Sequence, residues 1–287
     1  MTLRSPAFLT AVLLYVASLV ELAVVRDWTY LSVAVGFAIF MLLAWFATTR
    51  LVAEPAPPPP DVLRAVGPRP RVIARTAVVV VFTALLFIHG FSFYGIHVLP
   101  ALDRFYRYVL GLAPWLGTGL PNFVIEALIP GLLVIALGAR LREIGLSRPA
   151  RGTLLAIAAC TGLFVLSWIF RFAQGHLTVP ALALYLLHNV LSNGFSEEFG
   201  MRGLLMSHLR AYLRTDWALL TQGLAFALLH FASSLHDEPT TLGIVANVIA
   251  LNMPMGIVMG LMALRTRSLA LPAVLHTVLD TERNVFG

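Results

Sequence analysis

The chain has 287 residues, of which 59% are hydrophobic and only 12% charged, and its mean hydropathy is +0.86. Such a composition excludes a soluble globular domain and points to a polytopic membrane protein, so length here counts helices rather than domains. The formal net charge is +6. The arginines that set it are scattered between apolar segments as topology signals, which excludes a nucleic-acid partner and names the lipid bilayer instead.

Every one of the 20 basic residues is arginine, and Ala, Val, Leu, Pro and Gly are abundant. This usage reads as the codon bias of a GC-rich bacterial genome, and with the hydropathy it predicts a multi-pass protein of the inner (cytoplasmic) membrane. The lone Cys160 lies in an apolar run, so no intrachain disulfide forms and the residue reads as core.

Runs of about 20 apolar residues cross the ~30 Å hydrocarbon core as helices. The first run, from about Phe8 to Val25, is long for a signal-peptide core and reads as a retained helix. Further spans are expected near 29–48, 73–97, 121–139, 153–171, 180–205, 216–235 and 241–264, with a shorter helix at 268–281. The expected fold is therefore all-α, a transmembrane bundle of about eight spanning helices with a short C-terminal helix.

Between the second and third spans, EPAPPPP and GPRP favour extended polyproline backbone and cannot continue a helix. That divides the chain into an N-terminal helix pair (1–49), a Pro/Arg-rich cytoplasmic linker (50–72) and a helical core (73–287). The stretch 98–120 carries Asp103, Arg104, Arg107, aromatics and glycines, and reads as an interfacial helix followed by a loop. Arg4, the 50–75 segment, the 140–151 loop, the 210–214 turn, Arg265 and Arg267 all fall on one side, which the positive-inside rule makes cytoplasmic.

The costly residues lie in the last third. Residues 196–203 read SEEFGMRG, placing Glu197, Glu198 and Arg202 at the end of an apolar run. Each charge at the centre of a membrane helix costs about 2.5–3.5 kcal/mol on insertion scales, so three within seven residues require partners or a purpose. Glu198 and Arg202 are one helical turn apart and can pair. Glu197 points about 100° away on an α-helix and is left as a buried carboxylate suited to general base work.

Downstream come FALLH, ending at His230, the small-xxx-small pair Gly256 and Gly260, and HTVLD, in which His276 and Asp280 share one helix face. The glycines read as packing, and His188 and Asn189 as interhelical hydrogen-bonding groups. Two histidines and two glutamates on three helices can meet at one depth.

EExxxR, then FxxxH, then a GxxxG helix leading into SLALPAVLHTVLD resembles the CAAX prenyl protease and bacteriocin-processing (CPBP, or Abi) family of intramembrane proteases. The likeness covers about residues 120–281, including LREIGLSRPARG at 141–152. It implies that Glu197 activates a water to attack a peptide carbonyl and that Arg202 orients Glu197 and Glu198. It further implies that His230, His276 and Asp280 bind the water or stabilise the oxyanion. Where eukaryotic members carry Asn, this chain has Asp280, and an ionised carboxylate cannot donate to an oxyanion.

A metal-free glutamate mechanism is favoured because H-E-x-x-H is absent; the alternative is zinc held by Glu and His side chains. The expected substrate is a membrane-associated peptide or protein. The competing reading is a non-proteolytic peptide-binding, immunity or scaffold protein of the same fold. A transporter would show broken helices in two matching halves, and no such symmetry is evident.

Overall fold

The computed structural model describes residues 5–26, 28–53, 70–235 and 240–286, and among them no strand occurs. Ten helices are α1 (Pro6–Val25), α2 (Trp28–Leu51), α3 (Pro70–Gly90), α4 (Pro100–Leu112), α5 (Gly119–Ala136), α6 (Thr153–Ala173), α7 (179–209), α8 (Thr215–Leu229), α9 (Thr241–Thr266) and α10 (Ala270–Phe286). The polyproline part of the expected linker, 54–69, lies outside the described residues.

The helix starts follow local chemistry. Ser5 caps α1 by accepting from the Phe8 N–H, with Pro6 in the first turn. Thr178 and Thr240 cap α7 and α9 in the same way through Ala181 and Gly243.

Six helices among the described residues are long and apolar enough to cross a membrane: α1, α2, α3, α5, α6 and α9. The chain is thus a polytopic helical bundle, with fewer uniform spans than the eight expected. The two that fall out are the expected spans 180–205 and 216–235. Within the first, α7 is broken into α and π turns and carries the acidic cluster; in the second, α8 is only 15 residues long. Both carry residues of the charged cluster, so neither is a plain hydrophobic rod. The 98–120 segment contains the short helix α4, which buries Asp103, Tyr106 and Val109 on one face.

Helix α9 is the axis of the bundle, with α8, α1 and α2 packed around it and 67% of its spanning window buried. It crosses α8 at glycine against glycine: a Cβ on Gly256 would sit 2.8 Å from the Gly223 Cα. Such backbone proximity is what small-xxx-small patterns provide where no hydrophobic effect drives helices together. Helix α10 lies along α6 and against the N-terminal half of α7, and Glu282 binds it to α6 by accepting from Ser167 Oγ (3.0 Å) and Trp168 Nε1 (2.5 Å).

At one end of the bundle, Arg75 binds the Leu137 and Gly138 carbonyls and the Glu143 carboxylate, and Arg265 binds the Val52 carbonyl. The arginine-rich segments assigned to one membrane side therefore do meet at one end of the molecule.

Candidate active site

The site forms where α7 leaves regular α geometry. Residues Val190–Gly194 and Phe199–Met206 are π-helical, and the single α turn Ser196–Glu198 is held between them. Wide turns of this kind occur as local insertions and re-aim side chains, often at functional sites. Gly194 makes the first one usable: any side chain there would collide with Thr277, so its absence lets α10 close onto α7. That contact delivers His276 to the acidic pair.

His276 is the centre of the constellation, with carboxylates on both sides of its ring. Its Nδ1–H donates to Glu198 Oε1 at 2.9 Å, while Nε2 lies 3.5 Å from Asp280 Oδ2 and 3.9 Å from Glu197 Oε2. Glu198 Oε1 also meets Arg202 Nη1 at 3.1 Å, a close ion pair without hydrogen-bond alignment. Glu198–Arg202 is therefore the pair expected from the i, i+4 spacing.

Glu197 and Glu198 are neighbours on the α turn Ser196–Glu198 and yet both face one imidazole, because its two nitrogens meet one each, Nδ1 meeting Glu198 and Nε2 meeting Glu197. Exposure separates them instead: the Glu198 side chain is 0% exposed and that of Glu197 16%. Part of the Glu197 side chain is therefore open to the surroundings, although its Oε2 is buried.

Arg202 is almost fully buried, with its guanidinium carbon 4.4 Å from the centroid of the Phe226 ring and Nη2 donating to the Gly256 carbonyl at 3.4 Å. A desolvated cation over an aromatic face gains about 2 kcal/mol or more, which offsets part of its burial cost. The Gly256 carbonyl also accepts from Gln222 Nε2 at 2.7 Å. The GxxxG crossing thus serves the charge cluster as well as the packing.

His230 caps the end of α8. Its Nδ1–H donates to the Phe226 carbonyl at 2.9 Å, which fixes the ring and leaves Nε2 directed outward. The Phe226 ring stands between the two histidines, 4.9 Å from His230 and 6.0 Å from His276. All six residues expected at the site therefore gather around Phe226 and Glu197, His230 through the Phe226 ring and its electrostatic effect on Glu197. His188 and Asn189 make interhelical bonds, to the Leu116 carbonyl (2.7 Å) and to Thr281 and Asn284, as read from sequence.

Sequence reasoning missed three participants and read Phe226 only as the first residue of FxxxH. Gln222 looked like an ordinary span residue. Asn193 donates to Asp280 Oδ2 at 2.6 Å, and its place four residues before Glu197 was the available signal. Glu126 sits on the π turn Phe123–Leu128 of α5, four residues before Pro130, whose missing N–H and ring displace the Glu126 carbonyl from α-helical bonding. The Glu126 carboxylate is within electrostatic range of Glu197, and Glu126 lines a small cleft with Thr83, Pro130 and Gly200. An acid inside an apolar run was its signal.

Residues 179–281 match the family described as Rce1-like, type II CAAX prenyl endopeptidase. This segment is similar to the Rce1-like family. It covers about a third of the chain and contains every residue of the constellation from Asn193 to Asp280. No curated protein and no solved structure matches the chain. The Rce1-like match supports, in general terms, a CAAX-type intramembrane endopeptidase, and with the apolar helices it makes this a multi-pass membrane protein.

Among the described residues, no group of three or more His, Cys, Asp or Glu side chains is arranged as a metal site. Both ring nitrogens of His276 face carboxylate oxygens, Nδ1 that of Glu198 and Nε2 those of Asp280 and Glu197.

Proposed function

We propose that the protein hydrolyses a peptide bond in a membrane-associated peptide or protein, using a water activated by Glu197. The observation that carries this reading is the division between the two glutamates at His276: Glu198 is paired with Arg202 and has no exposed side-chain surface, while Glu197 has no such pair and keeps 16% of its side-chain surface exposed.

Glu197 accepts a proton from the water as its oxygen bonds to the scissile carbonyl carbon. The oxyanion that develops is met by the Nε2–H of His276, a ring fixed before substrate arrives by Glu198, while His230, whose Nδ1–H is given to the Phe226 carbonyl, stands beyond the Phe226 ring. The proton held by Glu197 then passes to the departing amide nitrogen as the C–N bond breaks. Arg202 balances the charge of Glu198, which keeps the acidic pair affordable inside the bundle. The step uses no metal, and the low position of charged groups in an otherwise apolar bundle suits a substrate that arrives from the bilayer.

We place the protein in the inner membrane of a bacterium, with residues 1–49 as a helix pair, 50–72 as a cytoplasmic linker and 73–287 as the proteolytic core. Cells producing the wild type and Glu197→Gln are compared by mass spectrometry of membrane-fraction peptides. Peptides seen only with the wild type are expected, with the variant reduced ~10²–10⁴-fold, the range of a lost general base. Identical peptide sets would leave the non-proteolytic binding, immunity or scaffold role. For the metal, activity that survives chelation at negligible zinc content agrees with the glutamate mechanism, and loss restored by zinc overturns it.

A further inference from the structure

Asp280 stands where an amide would be the more obvious donor, and the structure shows an amide beside it. Asn193, in the π turn Val190–Gly194, donates from Nδ2 to Asp280 Oδ2 at 2.6 Å. Its Oδ1 accepts from Ser192 Oγ at 2.7 Å, Ser192 Oγ accepts from Asn122 Nδ2 at 3.1 Å, and Asn122 Oδ1 accepts from Tyr106 Oη at 3.0 Å. Four side chains thus run from α4 through α5 and α7 to Asp280 on α10.

The direction of this chain is fixed by chemistry at its inner end. An ionised carboxylate only accepts, so Asn193 must turn its NH₂ towards Asp280 and its carbonyl towards Ser192. Ser192 must then donate to Asn193 and accept from Asn122, which leaves the Asn122 carbonyl for the tyrosine. A protonated Asp280 donating to Asn193 would demand the reverse orientation at every link. Ser192 is 3% and Tyr106 6% exposed, so solvent does not readily replace either of these two partners.

We propose that Asn193 is a positioning residue that holds Asp280 as an ionised acceptor against His276, with Ser192, Asn122 and Tyr106 fixing the orientation of its amide. The oxyanion-facing donor is then His276 and not residue 280, and the Asn-to-Asp difference at that place is matched by an amide supplied from α7. This rests on the hydrolytic reading of the site, but its geometry can be tested without cleavage.

The groups facing His276 are Glu197 and Glu198 from α7, with Arg202 behind Glu198, Asp280 from its own helix, and His230 beyond the Phe226 ring. Protein labelled with ¹⁵N-histidine is titrated by NMR in detergent, with His276 assigned by its loss in His276→Gln. In the wild type both His276 nitrogens are expected to carry protons through neutral pH. In Asn193→Leu the loss of one proton moves down by about one pH unit, because an unanchored Asp280 no longer faces Nε2. Where Asn193→Leu does not fold, Asn193→Asp serves: two carboxylates at hydrogen-bonding distance share a proton, adding a titration step absent from the wild type.

In the cleavage assay Asn193→Leu is expected to lower kcat about tenfold with KM unchanged, as a group acting on the transition state does. Tyr106→Phe should give a smaller change of the same kind. A folded Asn193→Leu or Asn193→Asp whose His276 titrates as in the wild type overturns the positioning role, whatever the cleavage result. Absence of any Glu197-dependent peptide overturns the proteolytic reading and leaves the NMR outcome to stand alone.

Discussion

Glu198→Ala is expected to cost far more stability than Glu197→Ala, although Glu197 is the residue that acts on the water. Glu198 has no exposed side-chain surface and contacts both Arg202 (3.1 Å) and His276 (2.9 Å). Its removal leaves a guanidinium that is 1% exposed facing an apolar interior. Deleting one partner of a buried ion pair costs about 3–5 kcal/mol, because the remaining charge has lost its ion-pair partner. At roughly 2 °C per kcal/mol for a chain of this size, the melting temperature should fall by roughly 6–10 °C.

Glu197 is 16% exposed, and its nearest basic partner, His276, is 3.9 Å away, too far for a hydrogen bond. Its loss should cost about 1 kcal/mol or less and move the melting temperature by roughly 2 °C. Thermal unfolding of the purified proteins in one detergent, followed by cleavage at a temperature where both are folded, separates the two effects. Equal melting temperatures for the variants would refute the claim that Glu198 bears the structural half of the cluster and Glu197 the chemical half.

Phe226→Leu removes the ring face beneath Arg202 and the wall between the histidines; a loss of about 2–3 kcal/mol is expected from thermal unfolding, and an unchanged melting temperature would count against the cation–π contact. Gly256→Ala places a methyl 2.8 Å from the Gly223 Cα, where backbone cannot yield, so about 1–3 kcal/mol should be lost, whereas Gly162→Ala on α6 meets nothing within 4 Å and should leave stability unchanged or improved. Asp103 on α4 is held by His89 and His97. Burial pushes its carboxyl up, but the hydrogen bonds from His97, Ser92 and His89 and the charge of His89 outweigh that and hold it below its ordinary value of 3.8. A carboxyl depressed on folding stabilises above its unfolded value and loses that contribution as pH falls through the folded one. Asp103→Asn should therefore lower the melting temperature at pH 7 and converge with the wild type well below pH 3.8; a gap that persists in acid would show that the charge is not its source.

Which residues do chemistry was largely legible because charge is expensive in an apolar chain. Glu197, Glu198, Arg202, His230, His276 and Asp280 stood out against their surroundings, and helical spacing was enough to pair Glu198 with Arg202. Asn193 and Gln222 did not stand out, since a neutral amide costs little to insert and its role depends wholly on what it faces. Glu126 carried a visible signal but belonged to no local pattern; only the packing of α5 against α7 brings it near Glu197.

The sequence by itself determined an all-helical membrane protein, its arginine-rich end and the residues too costly to be incidental, because hydropathy and charge act locally. Tertiary structure decided how those residues are used. The close approach at Gly194 lets α10 close onto α7, and His276, which presents one ring nitrogen to each, joins both glutamates of the α turn Ser196–Glu198 to a single group. Angular position on a helix can be read from spacing, but which group a partner helix sets against it cannot. Here that group is a ring able to meet two adjacent side chains at once, and only the packing of α10 on α7 supplies it.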